Sequence, residues 1–162
     1  MATKLEEWRK YSKYHEQVLY TSFIPFKMPI EAANGLENEK LFNIDELLTD
    51  FDSIGLIIDL TNNLRTYRIK RLKKRLGIDY INIPCDAKVS SGNWSKFVNT
   101  CADFIAQHPQ KLIAVHCWTG TRQTGFMICK YLIEVCGQPM DVAIQLFKKS
   151  RGHNVDGLFT SD

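Results

Sequence analysis

A cysteine at residue 117 lies where the chain passes from an apolar run into a glycine-containing loop, within residues 112–125 (LIAVHCWTGTRQTG). Four apolar residues lead into His116-Cys117, and Thr124-Gly125 opens a segment with helical apolar spacing, FMICKYLIEVC. The pattern predicts a buried strand, a tight loop and a helix N-terminus. Backbone N–H groups and the positive end of the helix dipole then point at one place, which is a binding site for phosphate or another anion.

Cys117 has the chemistry of a nucleophile in this setting. The field that holds an anion also favours the thiolate, which is the reactive form of cysteine. A thiolate under an anion-binding loop can attack phosphorus and form a phosphocysteine intermediate. His116 is expected to order the loop, and Thr124 to offer its hydroxyl to the cysteine sulfur. Gly120 and Gly125 allow close backbone approach. The alternative for Cys117 is a buried structural cysteine.

The segment resembles the His-Cys-x5-Arg-Thr/Ser-Gly signature of the cysteine-dependent phosphatases. The residues in register with it are His116, Cys117, Gly120, Thr124 and Gly125. In that family the arginine binds two phosphoryl oxygens and stabilises the transferring group. Its position is Gln123 here, and Arg122 lies one position early. By resemblance, Cys117 and Thr124 are catalytic. The implied phosphate-binding residues are His116, Trp118, Thr119, Gly120, Thr121, Arg122, Gln123 and Gly125.

Three further motifs narrow the resemblance to the RNA 5′-triphosphatase branch of these phosphatases. They are Pro-Phe-Lys-x-Pro within residues 23–30, Asp-Leu-Thr-Asn followed by Arg-x-Tyr in residues 59–67, and Arg-Gly-His at residues 151–153. The branch includes the triphosphatase domain of metazoan mRNA-capping enzymes and a related baculovirus phosphatase. The resemblance implies that Lys27 and Arg65 face phosphate or RNA. It implies a phosphate or 5′-phosphorylated RNA as ligand, with phosphoprotein as the other substrate class, and no cofactor or metal.

The glutamine at position 123 decides between function classes. Its neutral carboxamide cannot supply the charged planar fork of arginine. Losing one oxyanion donor typically lowers kcat by about 10²–10³, so we expect a pseudophosphatase that keeps its pocket for phosphate or an RNA 5′ end. The alternatives are an active phosphatase in which Arg122 compensates, and a purely structural domain that binds a protein partner and leaves the pocket empty.

Two other residues carry open interpretations. In cysteine phosphatases of other branches, an aspartate general acid protonates the leaving oxygen, and Asp86 is the candidate for that role. The triphosphatase branch cleaves a phosphoanhydride, whose leaving phosphate needs little protonation. Trp118 departs from the usual threonine of the branch. Its indole either narrows the pocket or stacks on a base, or it packs on the surface.

Composition limits the class of protein. The chain has 162 residues, 44% hydrophobic and 24% charged, which suits a globular domain. A net charge of +3 permits an anionic partner without requiring one. The five cysteines are odd in number and lack a repeated spacing, which indicates reduced thiols and an intracellular location, in the nucleus or cytoplasm. No apolar run approaches the length of a membrane span, so no membrane partner is expected.

Predicted strands and helices alternate along the chain, which indicates an α/β fold with a mostly parallel, twisted central sheet flanked by helices. The resemblance implies the cysteine-phosphatase (PTP-like) fold. One domain is expected over residues 1–162, without the further helix with which the family usually continues. Helices are predicted after Asn43, over the basic segment 68–75, from Asn93 or Ser95, and over residues 140–150. The basic segment is either a solvated helix face or an RNA footprint.

Overall fold

A parallel sheet forms the centre of the protein. The computed structural model describes residues 3–31, 41–62 and 67–155. Within them, four strands are hydrogen-bonded in the order β1-β4-β2-β3, and every neighbouring pair is parallel. The strands are β1 (Phe23–Phe26), β2 (Ile54–Asp59), β3 (Asp79–Asn82) and β4 (Leu112–His116). The predicted α/β fold with its parallel sheet is confirmed.

Helices cover both faces of this sheet. Those in the described residues are α1 (Lys4–Arg9), α2 (Ile44–Asp50), α3 (Ile69–Leu76), α4 (Ser91–Gln107), α5 (Arg122–Glu134) and α6 (Met140–Arg151). Successive side chains of β4 point to opposite faces. Ile113 and Val115 pack in the cluster that contains residues of α4, α5 and α6, whereas Ala114 packs in the cluster that contains residues of α1, α2 and α3. Burial on both faces explains why this strand is a continuous apolar run.

Two helices, α4 and α5, begin at least two residues earlier than predicted. α4 begins at Ser91, ahead of the predicted Asn93 or Ser95, because the Ser90 side chain accepts a hydrogen bond from the backbone N–H of Asn93. α5 begins at Arg122, two residues before Thr124, where the sequence pattern placed the start of the helix. The predicted capping box of α2 is confirmed. The Asn43 side chain accepts a hydrogen bond from the backbone N–H of Glu46, and the Glu46 carboxylate accepts one from the backbone N–H of Asn43.

A membrane-spanning helix would need a long apolar segment. In the part of the chain that the structure describes, none of the helices has that combination of length and apolarity.

Candidate active site

Cys117 lies at the carboxyl end of the central strand. It follows β4 directly and is 2% exposed. A cavity of about 420 Å³ opens above it, at the sheet edge where open α/β folds bind ligands. The cavity brings together Cys117, Trp118, Arg122, Gln123 and Asp86, all of which the sequence had marked as candidates. The remaining lining residues are Lys4, Leu60, Thr61, Asn62, Cys85 and Ala87.

The loop after Cys117 packs tightly against the end of β1. Gly120 has a φ of +69°, and a Cβ added there would lie 2.4 Å from the carbonyl oxygen of Phe26. Both the backbone conformation and this contact exclude a side chain at position 120. Next to it, the Met28 N–H donates to the carbonyl of Trp118 at 3.1 Å. The shape of the loop is therefore set by backbone contacts with the segment after β1.

Gln123 lines the cavity with its amide already engaged. Its Nε2 donates to the backbone carbonyl of Asp86 at 3.1 Å. The Asp86 carboxylate in turn accepts a hydrogen bond from Asn62 Nδ2 at 2.8 Å. Arg122 is exposed and also lines the cavity. The position of the family's arginine thus carries a neutral group that joins two walls of the pocket.

His116 is fully buried behind the loop and does not line the cavity. Its Nδ1 lies 3.1 Å from the carbonyl of Cys117 and its Nε2 lies 2.8 Å from Tyr67 Oη. Since a carbonyl only accepts, Nδ1 carries the proton and Nε2 accepts from the tyrosine. Burial lowers the pKa of His116, against the opposing effects of Asp59 and the Cys117 carbonyl. A neutral imidazole therefore holds the backbone at Cys117.

Thr124 lies in the first turn of α5 and is fully buried. Its Oγ1 makes no hydrogen bond to any residue that the structure describes, the Cys117 sulfur included. The predicted hydroxyl–sulfur contact is therefore not formed in this structure.

Lys27 lies away from the cavity. Its Nζ donates to the carbonyls of Trp8 and Tyr11, at 3.0 and 2.8 Å, and lies 3.6 Å from the centroid of the Trp8 ring. Burial, assisted by Arg151 and other nearby cations, lowers the pKa of Lys27 to about 8. In this structure the lysine anchors the N-terminal segment, and a role toward RNA stays a prediction. Arg65, the other residue assigned to RNA, lies outside the described residues.

Arg151 contacts the loop after Cys117 from the protein interior, a role that the sequence motif did not reveal. It is fully buried, and its Nη2 donates to the carbonyls of Ser12 at 2.7 Å and Thr119 at 3.3 Å. Its Nη1 donates to the carbonyl of Pro25 at 3.4 Å. Burial lowers the pKa of Arg151 to about 10, and negative charge on Cys117 acts in the opposite direction. Arg151 thus joins the signature loop to β1 and to the segment before it.

Lys4 and Asn62 are lining residues that the sequence did not single out. Asn62 belongs to the Asp-Leu-Thr-Asn motif, which indicated the resemblance but assigned no function to this asparagine. Lys4 gave none, because its place at the cavity depends on how α1 docks on the rest of the fold.

The chain is similar in sequence to known phosphatases. Residues 37–159 match the family described as "Dual specificity phosphatase, catalytic domain". The chain is 33% identical over 159 residues to "RNA/RNP complex-1-interacting phosphatase" of Rattus norvegicus, covering 93% of this chain and 49% of that protein. It is 29% identical over 153 residues to "Tyrosine-protein phosphatase" of Autographa californica nuclear polyhedrosis virus, covering 92% of this chain and 91% of that protein. The chain therefore spans about half the length of the rat relative.

The fold also matches solved structures. A crystal structure of PTPMT1 in complex with PI(5)P has a TM-score of 0.65 and 19% sequence identity, covering 88% of this chain and 85% of that one. Likeness at this level of identity speaks to the fold alone, and it confirms the PTP-like architecture expected from the sequence.

Proposed function

Since the chain belongs to the dual specificity phosphatase catalytic-domain family, we propose that it is a phosphatase-like domain with impaired catalysis, whose cavity above Cys117 binds the 5′-phosphates of RNA. The observation that carries this proposal is Gln123, which stands in the arginine's place and donates its amide to the carbonyl of Asp86.

Binding and turnover depend on different parts of this site. The loop backbone and the N-terminus of α5 interact with a bound phosphate before any bond breaks. Phosphoryl transfer then spreads negative charge over the equatorial oxygens, and catalysis rests mainly on stabilising that charge. Only interactions that are stronger in the transition state raise kcat. Because Gln123 is neutral, the site retains groups that hold phosphate and lacks the charged group that speeds its transfer.

One finding supports RNA as the ligand, and another supports a ligand with more than one phosphate group. The rat relative carries RNA/RNP in its name. The cavity, at about 420 Å³, falls within the size range of small-molecule sites, so it has room for more than one phosphate group.

A binding assay combined with a turnover assay tests the proposal. The full chain is mixed with a short 5′-triphosphorylated RNA and, in parallel, with the same RNA ending in a 5′-hydroxyl. We expect the triphosphorylated RNA to bind at least about tenfold more tightly, because charge-assisted hydrogen bonds to the phosphates are lost in the control, while phosphate release stays very slow. Equal affinity for the two RNAs, or rapid release of phosphate, would contradict the proposal.

Arg122 supports a second candidate, an active phosphatase in which this side chain replaces the missing arginine. It lines the same cavity as Cys117. If it compensates, Arg122→Ala should lower kcat by at least about 10², as does the loss of an oxyanion donor. Under the preferred proposal we expect kcat to be unchanged by Arg122→Ala. Arg75→Ala, an equal charge change on the exposed side of α3, is the matched control.

A further inference from the structure

The N-terminal helix α1 forms part of the cavity rim. The indole Nε1 of Trp118 donates to the backbone carbonyl of Lys4 at 3.2 Å, which joins the helix to the signature loop. Trp8, from the same helix, is 1% exposed and donates its Nε1 to the carbonyl of Met28 at 2.8 Å. The two indole rings lie 6.4 Å apart, centroid to centroid. Trp118, which departs from the branch's usual residue, therefore attaches α1 beside the cavity.

A capping box fixes the residue at which α1 begins. The Thr3 side chain accepts a hydrogen bond from the Glu6 N–H at 3.1 Å, and the Glu6 carboxylate accepts one from the Thr3 N–H at 2.8 Å. This capping box makes Lys4 the first residue of the helix. Its backbone is held by the cap and by Trp118, and Lys4 is one of the residues that line the cavity.

The residues that line the cavity carry charges of both signs. Its lining includes the cations Lys4 and Arg122 and the anion Asp86. Of these lining residues, Cys117 is buried, whereas Lys4 is exposed to solvent. A phosphate against Cys117 is surrounded by the loop to which the cysteine belongs. Lys4 comes from a different element of the same cavity wall, so its positive charge is available to a group attached to that phosphate.

We propose that Lys4 is a phosphate-binding residue of this site and contacts the phosphate groups beyond the one held at Cys117. The inference rests on the proposed function, because it requires a phosphate in the cavity. It defines the ligand class as a linear chain of two or more phosphates, which includes a di- or triphosphate 5′ end. An isolated orthophosphate held at Cys117 would not engage Lys4.

Inorganic tripolyphosphate and orthophosphate are the probes that test this inference. Their affinities are measured by calorimetry on the full chain and on Lys4→Ala. We expect Lys4→Ala to weaken tripolyphosphate binding about tenfold, the effect of losing one hydrogen bond to a charged group, and to leave orthophosphate binding essentially unchanged. Lys4→Arg should retain the preference for tripolyphosphate, because it keeps the charge.

Lys10→Ala is the matched control, since Lys10 is exposed at the other end of α1 and does not line the cavity. It makes the same change in net charge, so it measures the long-range electrostatic effect alone. Trp118→Phe is a second test. It keeps an aromatic ring and removes the N–H that bonds Lys4, and should weaken tripolyphosphate binding in the same direction as Lys4→Ala.

The outcomes separate this inference from the function on which it rests. If the unaltered chain binds neither probe, the proposed function fails and the role of Lys4 fails with it. If it binds both probes and Lys4→Ala behaves like Lys10→Ala, the role of Lys4 alone is refuted. Equal losses of affinity for both probes in Lys4→Ala would also refute it, because they would place Lys4 at the first phosphate. Thermal unfolding of each variant verifies that the fold is intact.

Discussion

Replacing Gln123 with arginine should raise the rate of phosphate release from 5′-triphosphorylated RNA by at least about 100-fold, the effect expected for one transition-state donor. The substitution returns a charged fork to a cavity that already contains Cys117 at its base. It also breaks the hydrogen bond from Gln123 to the carbonyl of Asp86. The new guanidinium can then turn toward the equatorial oxygens, where bidentate contacts are strongest. Single-turnover release of labelled phosphate measures the change.

Two neighbouring substitutions show whether the gain comes from charge and shape. Gln123→Met removes the amide donor without adding charge, and should leave release as slow as in the unaltered chain. Gln123→Lys adds a point charge without the planar fork, and should give a smaller gain than arginine. Adding Cys117→Ser to the arginine variant should abolish the gain, because the covalent intermediate cannot form. Release by the unaltered chain at the rate of the arginine variant would refute the impairment.

Replacing Arg151 with methionine should lower the free energy of unfolding by about 3 kcal/mol, because buried carbonyl groups lose charged donors. The guanidinium bonds the carbonyls of Ser12, Pro25 and Thr119. An opposing effect is relief from burying a cation, which the lowered pKa of Arg151 shows to be unfavourable. We expect the loss to dominate, since methionine leaves all three carbonyls without this donor in the interior. Urea unfolding followed by circular dichroism measures the difference.

Arg75→Met is the control for this substitution. Arg75 is exposed on α3, and a surface change of this kind usually stays within about 0.5 kcal/mol. Arg151→Lys should recover part of the lost stability, because one ammonium can bond a carbonyl. Equal stability of Arg151→Met and the unaltered chain would show that the cost of burying the cation cancels its hydrogen bonds.

The sequence predicted the core of the site because its signals are local. An apolar run before His116-Cys117 indicated β4, and the spaced motifs indicated the phosphatase resemblance, which the family match and the relatives confirm. The start of α5 was placed too late for a related reason. Arg122 and Gln123 face the cavity, so the first turn of the helix lacks the apolar periodicity on which the prediction depended.

Residues whose role depends on packing between distant segments could not be assigned from the sequence. Lys27 carries a charge, and charge alone does not reveal that Trp8 covers it. Arg151 was seen as part of a motif, but its partners Ser12 and Thr119 are far away in the chain. Lys4 is held beside the cavity by the hydrogen bond from the Trp118 indole to its backbone carbonyl. No rule of sequence spacing predicts this contact.

The close packing of the signature loop on β1 determines where the shortest fragment with an intact site can begin. The family match starts at residue 37, after the strand that pairs with β4 from Phe23 with Ile113 to Phe26 with His116. A fragment cut at that boundary would leave one edge of β4 unpaired. It would also remove the Phe26 carbonyl group that packs against Gly120. The smallest fragment able to hold Cys117 in its observed geometry therefore extends upstream of the segment by which the family is recognised.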